Sequence, residues 1–529
     1  MSEALCQFTG LGVRFDDVPL FSNLNHSLMP GLTGLVAPNG RGKSVLLHLL
    51  TGQLTPSDGA IQWRVPVVHL GQIERLGGPR LADALGVAEL WDAFARIESG
   101  QGTPEDLDRV ADLWHRPAEW ARLLTSAGIE RTLDDPVDTL SGGEQTRLAL
   151  CRVLLRPDAC LLLDEPTNHL DAAGRNWLME HLARHAGGAL VASHDRALLR
   201  RMDRIWELTP DGLEEYGGGY DLYRSVKDAR LAALEQRVDH LDATQRKQKQ
   251  ARQAALEKAA TRRKQGERER RSGSQGKMLM DARKQRAEGS LATVKHRHQQ
   301  RVEATSQALS HAKAELEQQQ SQRLVLATQG VRGGIRLHLS ELVLPYGDPR
   351  PISLTIHSGE RWRVSGDNGS GKSTLLKVIA GLARPAGGDC RVRGSVVYLD
   401  QQLGLLNPDE SAYANLKRLH PGTAESDLRT QLASLRLRGD KALLSVAGLS
   451  GGERLKVALL AVTGGHNAPD VLLLDEPDNH LDLDSKTLLE QALAGYPGTL
   501  MIVSHDADFV TALAPDHELA LTRTAECSR

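Results

Sequence analysis

Four short motifs occur twice in this chain of 529 residues, in the same order and at matching distances. Gly-Arg-Gly-Lys-Ser (Gly40–Ser44) returns as Gly-Ser-Gly-Lys-Ser (Gly369–Ser373), and Leu-Ser-Gly-Gly-Glu stands at Leu140–Glu144 and Leu449–Glu453. Leu-Leu-Leu-Asp-Glu-Pro occupies Leu161–Pro166 and Leu472–Pro477, and Val-Ala-Ser-His-Asp (Val191–Asp195) matches Ile-Val-Ser-His-Asp (Ile502–Asp506). Lys43 precedes Gln72 by 29 positions, as Lys372 precedes Gln401; Asp164 precedes His194 by 30, as Asp475 precedes His505. Only one interval differs much: Gln72 to Ser141 is 69 positions, while Gln401 to Ser450 is 49. A period this long is not that of a solenoid. It implies two homologous domains, the first carrying 20 extra residues (69 − 49) within a helical-reading stretch at about 75–135.

Each copy holds chemistry that these residue types explain. Gly366-Asp-Asn-Gly-Ser-Gly-Lys372-Ser373 fits G-x-x-x-x-G-K-[ST], lying after an apparent strand (Arg361–Ser365) and before a helical run (Thr374–Leu382), the context that a P-loop requires. Glycines let backbone N–H groups curl around phosphate oxygens, and the helix N-terminus adds favourable partial charge. The motif assigns Asn368, Gly369, Gly371 and Thr374 to the phosphate cradle, Lys372 to the β- and γ-phosphates, and Ser373 to Mg²⁺. In the first copy Asn39, Gly40, Gly42, Lys43 and Ser44 are the equivalents, but Ala37 stands where the first glycine belongs. If that position needs a positive φ, alanine costs about 1 kcal/mol. The apolar runs ending in Asp164-Glu165 and Asp475-Glu476 read as buried strands. The aspartates are expected to hold Mg²⁺, mainly through water, and the glutamates to position or deprotonate an attacking water. His194 and His505 are expected to sense the γ-phosphate, and Gln72 and Gln401 to touch Mg²⁺ and the water.

The Leu-Ser-Gly-Gly-Glu motif discriminates further. Ser141, Gly142 and Gly143, like Ser450, Gly451 and Gly452, form a second phosphate nest at a helix start. One domain already has its P-loop, so the second nest serves another nucleotide. With these motifs the chain resembles the ATP-binding cassette superfamily, in which two cassettes pack head to tail around two ATPs. The resemblance implies one site from Lys43, Ser44, Gln72, Asp164, Glu165 and His194 with Ser450, Gly451 and Gly452. The other joins Lys372, Ser373, Gln401, Asp475, Glu476 and His505 to Ser141, Gly142 and Gly143. Phe15 and Tyr346 lie where the family stacks an aromatic on adenine; a strand-core role is open for both.

Glu165-Pro-Thr-Asn-His-Leu-Asp171 resembles the signature of the ABC-F family, tandem cassettes without membrane domains that act on ribosomes. The second copy departs from it, with Asp478 in place of threonine. The resemblance implies an α/β fold: two P-loop NTPase cassettes, 1–223 and 331–529, joined by a long antiparallel α-helical hairpin, 224–330. Leu231, Leu234, Val238 and Leu241 follow a 3,4 spacing, and Val302, Leu309 and Leu316 recur every seven residues, as two zipped helices would.

Charge sharpens the reading of that linker. Residues 224–325 hold 24 of the 65 Lys and Arg but only 12 of the 67 Asp and Glu, so this segment is +12 and the remainder −14. Arg262, Arg263, Lys264, Arg268, Arg270, Arg271 and Lys277 crowd its centre, with Arg283, Lys284 and Arg286 just beyond. A basic arm between acidic domains suits RNA phosphates. The absence of aromatics between Tyr223 and Tyr346 argues against base stacking there. The expected partner is the ribosome (rRNA and tRNA). The ABC-F linker reaches the tRNA and peptidyl-transferase region, and the family includes translation factors and antibiotic-resistance proteins. The extra residues of the first copy are either a short ribosome-contacting arm or a longer helical subdomain.

Other classes fit less well. No apolar run approaches the roughly 18 residues of a membrane span, and Met-Ser-Glu-Ala-Leu-Cys does not open like a signal peptide. A cytoplasmic monomer is expected, its two cassettes pairing within one chain with ATP and Mg²⁺ as cofactors. A transporter ATPase would need a separate membrane partner. A DNA-maintenance ATPase would usually carry longer coiled coils or zinc sites. The five cysteines include no C-x-x-C pair and read as thiols.

Overall fold

The computed structural model describes residues 3–16, 18–71, 76–168, 170–271, 296–297, 299–316, 333–400, 403–435, 437, 439–463, 469–479 and 481–522. Its first copy opens with β1 (Cys6–Phe15), β2 (Val18–Leu28), β3 (Leu32–Val36), α1 (Lys43–Leu50), β4 (Asp58–Trp63) and β5 (Val67–Leu70). The helices α2 (Leu81–Leu85), α3 (Ala88–Glu98), α4 (Pro104–Val110) and α5 (Arg116–Ser126) precede α6 (Gly142–Leu154). β6 (Cys160–Asp164), α7 (Ala172–Arg184), β7 (Ala189–Ala192), α8 (Arg196–Leu199), β8 (Arg204–Thr209) and β9 (Gly212–Gly217) complete it.

Two helices follow, α9 (Tyr220–Arg271) and α10 over 299–316. The second copy then runs β10 (Ile335–Val343), β11 (Ile352–His357), β12 (Arg361–Ser365), α11 (Lys372–Ile379), β13 (Gly387–Val392) and β14 (Val396–Leu399). After α12 (Ala412–Leu419) and α13 (Glu425–Ser434) come α14 (Gly451–Thr463), β15 (Val471–Asp475), α15 (Leu483–Ala494), β16 (Thr499–Val503), α16 (Ala507–Leu513) and β17 (His517–Ala520).

Each copy stacks a three-stranded antiparallel sheet, β2-β1-β4 or β11-β10-β13, with a larger sheet. The larger sheets have orders β5-β6-β7-β3-β8-β9 and β14-β15-β16-β12-β17. Their pairings are parallel except for the β8/β9 hairpin. Strands covered on both faces read as unbroken apolar runs; every residue of β6, β7, β15 and β16 is buried.

This order explains why motifs far apart in sequence converge. The P-loop follows β3, the Asp-Glu pair ends β6 and the histidine follows β7, and these are adjacent strands in the order β6-β7-β3. In the second copy β15-β16-β12 repeats the arrangement. Ligands of open parallel sheets bind at such carboxyl ends, where the strand order switches.

The extra length of the first copy is helical. Phe94, Val110, Trp120 and Leu124 from α3, α4 and α5 enter the cassette's own core, and Arg96 pairs with buried Asp106 at 2.5 Å to tie α3 to α4.

Contacts divide the chain into one unit of residues 1–223 with 321–529 and another of 224–320. Within the second unit Val238, Leu309 and Ala312 are buried together, with Leu241 and Leu316 packed against them. Leu234 is also buried, while Leu231 and Val302 are half-buried. The 52 residues of α9 span about 78 Å at 1.5 Å per residue. Lys277, Arg283, Lys284 and Arg286 lie outside the described residues, and the side chains of Arg262, Arg263, Arg270 and Arg271 are likewise not described. Among the described residues no helix is long and apolar enough to cross a membrane, and Cys6, Cys151, Cys160 and Cys390 are free thiols.

Candidate functional site

Both P-loops hand over to their helices through a glycine in the left-handed region, Gly42 and Gly371, each at φ 96°. A side chain at Gly42 would also meet Leu20 at 2.6 Å. Lys43 is only 8% exposed; its Nζ donates to Ala37 O at 3.0 Å and to His194 Nε2 at 2.7 Å. An ammonium only donates, so Nε2 is an acceptor and the ring is neutral. Burial, then Lys43 and Lys486, hold the His194 pKa well below its ordinary value. Lys372 instead donates to Gly366 O at 2.8 Å and Asp367 O at 2.9 Å.

Asp164 and Asp475 end β6 and β15 as buried carboxylates. Tyr398 donates to Asp475 Oδ2 at 2.9 Å, leaving Oδ1 buried without a hydrogen-bond partner. Ser44 and Ser373 are the second residues of α1 and α11. One carboxylate and one hydroxyl fit Mg²⁺, which keeps several waters and takes phosphate oxygens as well. Among the described residues no cluster of three or more His, Cys, Asp or Glu offers an all-protein metal cage.

The adjacent glutamates carry a backbone feature that sequence did not suggest. Glu165 and Glu476 both sit at φ 49°, a region non-glycine residues seldom enter. Each is pinned there by its own N–H, which donates to Ala192 O at 2.8 Å or Val503 O at 2.9 Å at the end of the neighbouring strand. Such strain persists where surrounding structure over-determines it, often at functional sites. Glu165 Oε1 lies 3.4 Å from His194 Nε2, and Glu476 Oε1 lies 3.6 Å from His505 Nε2. Burial, reinforced by Asp164 and opposed by Lys43, pushes the Glu165 carboxyl up to about 7. Burial and Asp475 also raise Glu476, and burial with Lys372 and Arg175 lowers His505 to about 4. A carboxyl tuned toward neutrality is suited to taking a proton from water.

The second nests begin α6 and α14. Ser141 and Ser450 cap these helices reciprocally with Glu144 and Glu453: Ser141 N donates to Glu144 Oε2 at 2.8 Å, and Ser450 N to Glu453 Oε2 at 3.0 Å. This is the capping box S-x-x-E, and it accounts for the motif's glutamate. The first P-loop meets the second copy's nest across the cassettes. A cavity of about 830 Å³ is walled by Gly40, Gly42, Lys43, Ser44, Asp164, Glu165 and His194 with Ser450 and Gly451. Gly142, Gly143, Asn368, Glu476 and His505 line the same cavity. Asn368 alone represents the second P-loop there, beside Gly142 and Gly143, and Ser141 lies off the cavity. Gly452 follows Gly451 at the start of α14, and Gly369, Gly371, Lys372, Ser373 and Thr374 stand beside Asn368 off the cavity wall. Asn39 N, at the first P-loop, donates to Asp482 Oδ2 of the second cassette at 3.0 Å.

Three sequence expectations need comment. Gln72 and Gln401 lie outside the described residues. Phe15 and Tyr346 are 49% and 78% exposed, so neither is a core residue. Ala37 has no positive φ, so its expected strain is absent. Gly366 does sit at φ 142°, where a side chain would meet Leu521 O at 2.3 Å; the two P-loops enter by different backbone paths. Sequence reasoning also did not single out Asp482, Arg175, Lys486 or Tyr398. The repeat offered one signal, since Arg175 and Lys486 occupy equivalent positions.

Two P-loops, two Asp-Glu strand ends and two serine–glycine nests, with the first P-loop and nest residues of both copies on one cavity, define an ATP-binding cassette ATPase with both cassettes in one chain. The family described as ABC transporter matches residues 21–168 and 349–479. This chain belongs to the ABC-F proteins, tandem cassettes without membrane domains. It is 31% identical to the probable ATP-binding protein YheS of Haemophilus influenzae, over 94% of this chain and 76% of that one. It is equally similar, 31%, to the energy-dependent translational throttle protein EttA of Mycobacterium tuberculosis, over 94% and 87%. Among solved structures, RNase-L Inhibitor superposes with TM-score 0.53 over 98% of this chain and 88% of that one, at 18% identity. That likeness bears on fold alone.

Proposed function

We propose that this protein is an ATP-driven switch that binds the ribosome with its cassettes closed and leaves on hydrolysis. The observation that carries the proposal is the shared cavity, walled by residues of both cassettes, among them the first P-loop with Ser450 and Gly451 and Asn368 with Gly142 and Gly143. Two ATPs contribute differential affinity only to a state in which both nests meet both γ-phosphates. Hydrolysis removes that difference, and the equilibrium returns to the open form.

In this reading Lys43 and Lys372 bind the β- and γ-phosphates, while Glu165 and Glu476 take a proton from the attacking water. His194 and His505 face the γ-phosphate as neutral imidazoles, and Phe15 and Tyr346 stack on adenine. Ser44 with Asp164, and Ser373 with Asp475, hold Mg²⁺, which neutralises charge developing on the transferring phosphoryl group. Gln72 and Gln401 complete the sites.

The ribosome is proposed on two grounds. One is the relative named as a translational throttle. The other is the +12 charge of residues 224–325. Along α9, Lys247, Lys249, Arg252, Lys258, Lys264 and Arg268 are exposed, as phosphate contact requires. The linker is proposed to approach tRNA near the peptidyl-transferase region, either as a translation factor or in protection against antibiotics.

The test combines Glu165→Gln with Glu476→Gln, which slows chemistry by about 10²–10⁴-fold while ATP still closes the cassettes. The doubly substituted protein should sediment with ribosomes in the presence of ATP, and less so as salt rises. A protein that binds ATP yet stays off ribosomes at every salt concentration overturns the proposal and directs attention to DNA.

A further inference from the structure

The cassettes carry a cation at the same place in the repeat. Arg175 and Lys486 each lie four positions after the aspartate, Asp171 or Asp482, that caps α7 or α15. Arg175 reaches across the interface: its Nη1 donates to the backbone carbonyl of His505 at 3.2 Å, while Asp195 of its own cassette lies 3.6 Å away. That carbonyl belongs to the histidine whose ring faces Glu476. Lys486 is 7% exposed and donates to Asp506 Oδ2 at 2.9 Å. It lines the shared cavity beside Glu165 and His194 of the opposite cassette. Asp478, the departure from the Thr167 of the first copy, is 3% exposed, and its Oδ1 has no hydrogen-bond partner.

Burying an ammonium and two carboxylates is a weak route to stability. All three stand on the wall of the shared cavity.

We propose that Arg175 and Lys486 are reciprocal positioning residues, each reaching from its own cassette to orient or polarise the glutamate–histidine pair of the other. Arg175 acts through the backbone of His505, so it fixes where that imidazole stands over Glu476. Lys486, held by its bond to Asp506, stands on the wall of the cavity that Glu165 and His194 also line. Each pair would be fully set only when the cassettes are closed, which ties chemistry to closure. The inference rests on the assignment of Glu165 and Glu476 as catalytic.

The test isolates each site and follows single-turnover hydrolysis of bound ATP. In a Glu165→Gln background, which reports the second site, Arg175→Ala should slow hydrolysis about tenfold, as misplacement of a reacting group does. ATP affinity should change less than about twofold, because the interaction is not with ground-state nucleotide. In a Glu476→Gln background, which reports the first site, Lys486→Ala should give the same loss. Arg175→Lys and Lys486→Arg should recover most of the rate. They also supply the measurement should either alanine variant fail to fold.

Equal losses in both backgrounds, a loss confined to the cation's own cassette, or a loss of ATP affinity as large as the loss of rate would overturn the proposal. Failure of the glutamate assignment looks different: neither Glu→Gln change alone would then silence any fraction of the bound ATP, whatever stands at 175 or 486.

Discussion

Replacing Glu165 by glutamine should stabilise the protein while disabling it, and the size of the effect follows from burial. The carboxyl is held at about 7 against an ordinary 4.5. At about 1.4 kcal/mol for each pH unit, that difference disfavours the ionised form in the folded protein by about 3 kcal/mol. Because the folded value lies above the unfolded one, the wild type has its full relative stability below about pH 4.5. It loses that stability as the pH rises through about 7. Glutamine is the isostere that never ionises, and its carbonyl can still accept from His194 N, now 3.3 Å from Glu165 Oε2.

The expected result is a stability difference near zero at pH 4.5 that grows to about 3 kcal/mol above pH 7 in favour of Glu165→Gln. At roughly 2 °C per kcal/mol for an unfolding unit of cassette size, this is about 6 °C in melting temperature. Thermal unfolding of both nucleotide-free proteins across pH 4.5–8.5 measures it. A difference that does not vary with pH, or a variant that melts earlier at pH 8, refutes the reasoning. Glu476→Gln should show the same sign, since burial raises that carboxyl too.

Further outcomes follow from differences between the copies. Lys43→Ala and Lys372→Ala should lower the ATPase rate unequally, because Lys43 engages His194 while Lys372 engages P-loop carbonyls; steady-state rates that fall by the same factor remove the distinction. Ala37→Gly should leave ATPase unchanged and lower stability by at most about 1 kcal/mol, since the backbone there has no positive φ to relieve; a melting curve decides. Tyr398→Phe removes the donor to Asp475 Oδ2 and should cost about 1–3 kcal/mol of stability by leaving a second buried oxygen unpaired. Urea unfolding of the nucleotide-free protein measures it, and an unchanged midpoint would mean that water replaces the phenol.

What was legible in the sequence is what local chemistry dictates. Phosphate loops need glycines at fixed offsets, a second phosphate nest needs serine and glycines at a helix start, and strands buried on both faces must be apolar throughout. Those demands singled out Lys43, Lys372, Asp164, Asp475, Ser141 and Ser450 as candidates without any structure. What escaped depends on pairs that meet only in the folded chain. Asn39 and Asp482 are 443 positions apart, and Arg175 and His505 are 330 apart. No spacing rule reaches across two cassettes. The left-handed backbone at Glu165 and Glu476 escaped for another reason. Glutamate has no preference for that conformation, so only the hydrogen bonds to β7 and β16 impose it. At Ala37 the motif itself misled, because glycine in the second copy answers a clash with Leu521 O that the first copy's backbone path avoids.

The repeat makes the remaining differences interpretable, since each copy is the other's control. His69 stands where Tyr398 stands in the second copy, and its Nε2 is buried without a partner; Asp164 therefore lacks the phenol that holds Asp475. Thr167 is replaced by Asp478, a buried carboxyl near Lys486 whose pKa burial raises. Both changes lie beside residues proposed to hold a γ-phosphate or its metal ion. On the proposed mechanism, two sites with different carboxylate partners and different cation placements should hydrolyse ATP in a fixed order, the site with the better-set glutamate first. The pH dependence of single-turnover hydrolysis should separate them, the first site following Glu165 near pH 7 and the second following a carboxyl whose own partner, Asn479, already donates to it.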